Sequence, residues 1–330
     1  MKRRVFLLTM AGASWVRPYG AIAQPSDRPR RIGLIVATTQ DDTDAQERAS
    51  ALRDGLRELG WIEGRNLTIE YRWGGGDPAR AEAIVEDLVA RSPDVIVSNG
   101  TPALTALQRR TRDIPIVFVV VTNPVGAGFV SSLARPGANI TGFSTYEPEI
   151  GGKWFETLRE LSPGIRRVAV INDPDLGGFG AVAGTIDSFA ERAGVMVVPI
   201  GFQRPSDDVE ARLATFAEVA GGGIVVMPTA LNLLARERLV TAAARLRLPA
   251  IYPFRPYAQS GGLMSYGFEP IDLFRRSAAY VDRIFKGEKP AEMPVQLPTR
   301  FQLVLNLRTA RDLGIEVPQM LLARADEVIE

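Results

Sequence analysis

The chain contains no cysteine and no histidine among its 330 residues. The absence of cysteine excludes disulfides, thiol nucleophiles, iron–sulfur clusters and cysteine-ligated zinc. The absence of histidine excludes catalytic triads that use an imidazole base, together with histidine-ligated metal sites. Composition therefore rules out much of hydrolase and metalloenzyme chemistry, although carboxylates and lysines remain available as catalytic groups.

Phosphate-binding motifs are missing as well. No G-x-G-x-x-G follows the first predicted strand, where a dinucleotide-binding fold would place it. The chain has no G-x-x-x-x-G-K-[ST] loop, because Gly152-Lys153 is followed by Trp154. The acidic residues Asp41, Asp42 and Asp44 are typical of a solvated helix start. The sequence therefore predicts neither a cofactor nor a metal site.

The first 23 residues have the design of a secretory signal peptide. A basic group at residues 2–4 precedes a mostly apolar stretch at 5–16, and Ala21-Ile22-Ala23 forms a small-x-small cleavage site. The apolar stretch is shorter than the ~20 residues that a transmembrane helix needs. Arg3-Arg4 loosely fits the twin-arginine pattern, so Sec and twin-arginine export both remain open. We expect cleavage near Ala23 and a periplasmic mature protein.

Removal of this segment changes the charge balance. It carries four basic residues and no acidic ones, which leaves 35 basic against 38 acidic residues in the rest of the chain. A mildly acidic surface is a poor match for nucleic acid, which requires positive patches. No second long apolar run follows. We therefore expect no nucleic-acid partner and no membrane span in the mature chain.

Strands and helices alternate from residue 30 onward, which predicts an α/β fold. Residues 32–37 form a continuous apolar run of the kind found in strands buried on both faces. Asp77-Pro78 and Thr101-Pro102 are typical helix starts, and each is preceded by a strand-like segment. Strands that alternate with helices of this length indicate βαβ units and a parallel sheet.

The pattern then restarts, which predicts two similar doubly wound parallel-sheet lobes. Residues 166–171 resemble 30–35, and residues 248–252 resemble 114–118. The expected boundaries are lobe 1 at 30–143 with a return segment at about 254–290, and lobe 2 at 144–253 with a C-terminal return segment at about 300–330. We expect a hinge of crossing strands near residues 141–144, 252–254 and 298–302.

The loops at strand ends are the candidate binding site, because ligands of open α/β sheets bind beyond the carboxyl ends of the strands. These loops carry hydroxyl, amide and aromatic side chains, and no nucleophile is accompanied by a base. Hydroxyls and free backbone N–H groups at helix starts suit a carboxylate. The candidate ligand-binding residues are Thr38, Thr39, Thr101, Pro102, Ala103, Thr122, Asn123, Asn172, Asp173, Phe179, Thr229, Tyr252 and Phe254.

Several segments together resemble the tryptophan/tyrosine-type branch of the ABC-transporter substrate-binding proteins. The resemblance covers essentially the whole chain. The segments that carry it are Gly100-Thr101-Pro102-Ala103, Ile114-Pro115-Ile116-Val117-Phe118, residues 122–130, residues 133–142 and the C-terminal residues 321–330.

This resemblance implies a type I periplasmic binding fold and an extracytoplasmic solute receptor that works with ABC permease subunits. Its cleft residues match Thr101–Ala103, Thr122-Asn123 and the Pro228-Thr229 turn. The implied ligand is an amino acid or a related aromatic carboxylate. Asn123 stands where the family commonly has an aspartate, a departure that bears on which ligand is bound.

From these patterns we expect a non-enzymatic, monomeric receptor for a small carboxylate. We expect a carboxylate at Thr101, an ammonium group at Asp173, and an aromatic ring covered by Phe179, Tyr252 or Phe254. Two alternatives remain open at this point. One is an exported α/β enzyme that acts on a small molecule, and the other is a sensory ligand-binding module.

Overall fold

The computed structural model describes residues 28–175 and 179–330, so the predicted signal peptide at residues 1–23 lies outside the described residues. The strands are β1 (Arg30–Val36), β2 (Leu67–Trp73), β3 (Val95–Asn99), β4 (Ile116–Val121), β5 (Ile140–Ser144), β6 (Arg167–Asn172), β7 (Met196–Gly201), β8 (Gly222–Val226), β9 (Ala250–Tyr252), β10 (Met264–Phe268), β11 (Phe301–Asn306) and β12 (Glu327–Ile329).

The helices alternate with these strands. They are α1 (Thr43–Glu58), α2 (Pro78–Ala90), α3 (Thr101–Arg110), α4 (Ile150–Leu161), α5 (Phe179–Arg192), α6 (Val209–Ala217), α7 (Ala230–Leu234), α8 (Arg236–Arg245), α9 (Arg255–Gln259), α10 (Pro270–Phe285), α11 (Leu307–Leu313) and α12 (Gln319–Arg324), with a short 3₁₀ turn at Pro290–Glu292.

The strands form two sheets with the same internal order. The first sheet runs β2-β1-β3-β4-β5, and the second runs β12-β11-β10-β9-β8-β6-β7. Strands β6 to β10 of the second sheet thus repeat the order of β1 to β5. Every pair is parallel except β10–β11, which is antiparallel. The predicted α/β fold with two doubly wound lobes is confirmed.

Side-chain caps explain where two of the helices that follow the carboxyl ends of strands begin. The Asp77 carboxylate accepts a hydrogen bond from the backbone N–H of Ala79 at 2.8 Å, and Pro78 occupies the first turn of α2. The Thr229 hydroxyl accepts from the N–H of Asn232 at 3.0 Å and so caps α7. Such caps satisfy backbone donors that a helix start leaves free. Both helices therefore begin immediately beyond the carboxyl ends of strands.

The chain crosses between the lobes three times. It leaves the first sheet after β5, and α4 then packs against α5, β8 and β9 of the second lobe. It returns at Glu269, because α10 packs on α1, β4 and β5. It leaves again after Gln296, which forms a β-bridge with Phe143, and enters β11 of the second sheet.

Two of the expected boundaries differ from this arrangement. We expected the return to lobe 1 to begin near residue 254, with a crossing at 252–254. Ser265 of β10 instead pairs with Tyr252 of β9, so residues 250–268 stay in the second sheet and the crossing lies at Glu269. The reason is that β10 is the counterpart of β5, so the second sheet needs residues 264–268 to complete the repeated strand order.

A cluster of three aromatic rings joins the three crossings. Tyr146 lies on the first crossing, Phe268 precedes the second, and Phe301 follows the third. The ring centre of Tyr146 is 5.0 Å from that of Phe268 and 6.0 Å from that of Phe301. The Tyr146 hydroxyl also donates to the carbonyl of Pro253 at 3.0 Å. Edge-to-face packing of this kind adds to the stabilisation from burial. The crossings are therefore packed against one another.

We predict that Gly267→Ala destabilises the fold at this cluster. A Cβ on Gly267 would lie 1.8 Å from the carbonyl oxygen of Pro253 and 2.8 Å from the Tyr146 hydroxyl oxygen. Such overpacking should lower the free energy of unfolding by about 3 kcal/mol, measured by chemical denaturation.

Gly184→Ala is the matched control, because nothing lies within 4 Å of a Cβ at that exposed position on α5. Alanine there should raise stability by roughly 0.5–1 kcal/mol through helix propensity. Equal effects of the two substitutions would contradict the packing described for the crossings.

Candidate functional site

The site is a cavity between the two lobes. Its walls come from strand-end loops and helix starts of both sheets. In a doubly wound sheet the crevice lies where the strand order reverses, here between β1 and β3 in one lobe and between β6 and β8 in the other. The polar residues that line the cavity at the carboxyl ends of these four strands are Thr38, Asn99, Thr101, Asp173 and Thr229.

A buried asparagine fixes the strand ends in each lobe. In lobe 1, the Asn99 side chain accepts from the N–H of Ala37 at 3.1 Å and donates to the carbonyl of Val119 at 3.2 Å. In lobe 2, the Asn232 amide donates to the carbonyls of Ile171 and Met227 at 3.2 Å and 2.8 Å. These bonds hold neighbouring loops at fixed separations, which keeps the cavity walls in place.

The start of α3 presents free donors to the cavity. The residue before the helix is Gly100, at φ +85°, so no side chain caps the first turn. Pro102 has no N–H, and the backbone N–H groups of Thr101, Ala103 and Leu104 lack intrahelical partners. The partial positive charge of the helix dipole adds to these donors. Since Thr101, Pro102 and Ala103 all line the cavity, this wall is suited to an anion.

Asp173 lies on the opposite wall, directly after β6. Its side chain accepts a hydrogen bond from the N–H of Asp175 at 3.0 Å. Burial raises the pKa of Asp173, and that backbone hydrogen bond opposes the rise. A buried carboxylate whose charge is poorly solvated is suited to a cationic group. The chemistry of the two walls therefore suits an anion in lobe 1 and a cation in lobe 2.

Two aromatic rings line the cavity from the second lobe. Phe179 begins α5, and Phe254 precedes α9. Both side chains are buried, and Phe254 packs edge-on against Phe268 of the crossing cluster with 5.7 Å between ring centres. The cavity wall is therefore in direct contact with the residues at the crossings.

Thr122 also lines the cavity, although its hydroxyl has a partner. It shares a hydrogen bond of 2.7 Å with the hydroxyl of Thr145. A β-bulge near the end of β4 places Val120 at φ +61°, an uncommon conformation for a β-branched residue. Bulges redirect the side chains that follow them, and here both Val120 and Thr122 reach the cavity.

Nine of the thirteen predicted residues line the cavity and four do not. The nine are Thr38, Thr101, Pro102, Ala103, Thr122, Asp173, Phe179, Thr229 and Phe254. Thr39 is exposed, and Asn172 precedes Asp173 in an extended segment, whose successive side chains point to opposite sides. Tyr252 stacks on Tyr257 with 4.8 Å between ring centres. Asn123 accepts from the N–H of Gly126 at 2.9 Å and lines a separate hollow beside Pro124 and Glu147.

The sequence patterns missed two charged residues of the cavity, Arg48 and Asp77. Arg48 lies on α1, is 5% exposed and lines the cavity. Gln203 was also missed, and it lines the cavity with Asp77 near its opening. The signal for Arg48 was present, because it falls at helical spacing with Ala45 and Leu52 on the buried face of α1. A charged residue on an apolar helix face is a candidate functional residue.

Within residues 28–175 and 179–330, no helix is long and apolar enough to span a bilayer. The same residues contain no cluster of three or more acidic side chains placed to hold a metal ion.

This chain is similar to known proteins in both sequence and structure. The profile of a family described as ABC transporter substrate binding protein matches residues 32–329. A Tyrosine-binding protein of Clostridioides difficile (strain R20291) is 24% identical over 292 residues, which cover 88% of this chain and 83% of that protein.

Two solved structures are similar over 91% of this chain and 100% of their own. A conserved domain protein from Vibrio cholerae gives a TM-score of 0.85 at 29% identity. The ABC domain from Streptococcus pneumoniae in complex with L-Trp gives a TM-score of 0.83 at 24% identity. These structures have the fold of type I periplasmic binding proteins.

We predict that Asp173→Asn stabilises the ligand-free protein at neutral pH. Because burial raises the folded-state pKa of Asp173, its ionised form destabilises the fold at neutral pH. That penalty disappears as the pH falls through the folded-state pKa toward the unfolded value of about 3.9. The gain from Asp173→Asn in denaturant titrations should therefore shrink as the pH is lowered.

Asp187→Asn on the exposed face of α5 is the control, and its effect on stability should be small at every pH. A gain at Asp173 that does not change with pH, or a loss at neutral pH, would contradict the assignment of a destabilising buried carboxylate.

Proposed function

This chain belongs to the ABC transporter substrate binding protein family, and we propose that it is an extracytoplasmic receptor for a small carboxylate ligand, an amino acid or an aromatic acid. Its two lobes close on the ligand, and the closed receptor delivers it to ABC permease subunits. The observation that carries this proposal is the cavity between the lobes, where the switch points of both sheets present opposite chemistry to one space.

The ligand carboxylate binds at the start of α3. The free N–H groups of Thr101, Ala103 and Leu104 supply donors, and no side chain caps this helix. Thr101 itself lines the cavity, so its hydroxyl is available to the anion. Backbone donors at a helix start, together with the helix dipole, are a common way in which proteins bind carboxylates.

The rest of an amino acid fits the remaining walls. Asp173 accepts the ammonium group, and the rings of Phe179 and Phe254 cover an aromatic side chain. The names of two relatives support this ligand class, since one is a Tyrosine-binding protein and the other structure contains L-Trp. An aromatic ligand would bury apolar area against the phenylalanines, which contributes about 25 cal/mol per Å² of area removed from water.

A binding role agrees better with the cavity than an enzymatic one. Its carboxylates are Asp77 and Asp173, and the Asp77 side chain is already used to cap α2. Paired-carboxylate chemistry requires two groups free to exchange protons at the reacting atoms. We therefore propose a receptor that is not an enzyme.

Export and lobe movement complete the proposal. The mature chain begins near Gln24 after cleavage at Ala23, and it acts as a monomer in the periplasm. The hinge consists of the three crossings at 145–149, 269 and 297–300, because a few residues at the ends of elements absorb most hinge motions. On this account lobe 1 is the first sheet with α10, and lobe 2 is the second sheet with its C-terminal strands.

We predict that Thr101→Ala weakens the binding of L-tyrosine by about 1–2 kcal/mol, because the variant loses one hydrogen bond to a charged group. Replacing the ligand carboxylate, as in L-tyrosinamide, should weaken binding further, because the α3 donors then face an uncharged amide. Isothermal calorimetry measures both effects.

Thr105→Ala is the matched control on the same helix. The Thr105 hydroxyl already donates to the carbonyl of Thr101 at 3.0 Å, and Thr105 lies outside the enclosed cavity. If Thr101→Ala and the amide both bind with unchanged affinity, the carboxylate lies elsewhere and this assignment is wrong.

A further inference from the structure

The cavity has two chemically different ends. Thr101, Asp173 and Gln203 line both the enclosed cavity and a larger open cleft between the lobes, so they mark the end nearer to solvent. Arg48 lines only the enclosed cavity. Its charge acts on Glu269 at the second crossing and on Tyr257 of α9, so it lies toward the crossings. A ligand held by Thr101 and Asp173 therefore directs its side chain toward Arg48.

The Arg48 residue is buried, it lines the cavity, and its guanidinium has no protein partner among the described residues. Within residues 28–175 and 179–330 it makes no ion pair and donates no hydrogen bond, although it is only 5% exposed. The nearby Asp42 pairs instead with Arg236 of the other lobe, at 3.6 Å. Arginine carries five N–H donors and keeps its proton, so a ligand that displaces water from the cavity must offer these donors an acceptor. The hydroxyl of Thr38 in the same cavity also lacks a partner among the described residues.

The charges around Arg48 indicate what its partner would be. Asp44, Asp42 and Glu269 attract the guanidinium, and Arg236 repels it. Burial lowers the pKa of Arg48, and these acids oppose the drop. The positive charge is thus already balanced at longer range, and what the guanidinium lacks is an acceptor at hydrogen-bond distance. An uncharged oxygen supplies that acceptor without adding a negative charge beside three carboxyl groups.

We propose that Arg48 donates hydrogen bonds to an uncharged oxygen at the end of the ligand opposite its carboxylate. The site then selects an aromatic amino acid with a ring hydroxyl over one with a plain ring. This inference rests on the proposed function, which places the carboxylate at α3. A plain ring would displace water from the guanidinium and would offer no acceptor for its N–H groups in return. Sites built to bind a hydroxyl reject analogues that lack it for the same reason.

The test measures, by isothermal calorimetry, the affinity of each of four proteins for each of two ligands. The ligands are L-tyrosine and L-phenylalanine, which differ only in the ring hydroxyl. The proteins are the unsubstituted chain, Arg48→Met, Arg48→Lys and the control Arg57→Met. Arg57 is on the same helix, its side chain is 65% exposed, and it pairs with Asp54 at 3.1 Å.

The unsubstituted chain and Arg57→Met should bind L-tyrosine at least about tenfold more tightly than L-phenylalanine, as expected for a hydrogen bond to a charged group. Arg48→Met should bring the two affinities to within about threefold of each other. Arg48→Lys should retain part of the preference, because an ammonium still donates. A general loss of structure would weaken the binding of both ligands equally and leave the ratio of their affinities unchanged.

Similar affinities of the unsubstituted chain for both ligands would overturn the role of Arg48 and leave the proposed receptor function standing. The same holds if Arg48→Met keeps the preference for L-tyrosine. If neither amino acid binds the unsubstituted chain, the proposed ligand class is wrong and this inference fails with it.

Discussion

The packing of three chain crossings around Tyr146, Phe268 and Phe301 is the constraint on which the rest of the structure depends. Each ring lies on or directly beside a different crossing, and the ring centres of Phe268 and Phe301 are 6.4 Å apart. Because the crossings are packed together, the two sheets are held with the carboxyl ends of their strands facing one gap. Phe254 contacts Phe268 and also lines that gap, so one wall of the cavity packs directly against the residues at the crossings.

The parallel arrangement of strands explains why the cavity has complementary chemistry. Strand ends and helix starts meet at the switch point of each lobe, which brings free N–H donors at α3 opposite the carboxylate of Asp173. Asp173 and Arg48 both carry charge in surroundings that solvate it poorly. On the proposed function, a ligand with matching groups restores the interactions that these charges lack, so lobe closure is favourable chiefly when that ligand is present.

The repeat along the sequence predicted most of the fold. The repeat predicted both lobes and the strand-to-helix turns at Thr101 and Thr229. It also gave the loops that line the cavity, because in parallel sheets those loops always lie at the carboxyl ends. It did not give side-chain direction, and so Thr39, Asn123, Asn172 and Tyr252 were assigned to a cavity that they do not reach. Arg48 was missed because only strand-end loops and helix starts were considered, whereas Arg48 lies on the buried face of α1.

The most direct test of the central claim is small-angle scattering from the mature chain with and without L-tyrosine, with binding verified by calorimetry. The account predicts that the ligand-free protein is more extended than the structure described here. Saturating L-tyrosine should reduce the radius of gyration and bring the scattering curve into agreement with that structure. A curve that is unchanged when the amino acid is bound would contradict the claim that two lobes close on the ligand about the three crossings.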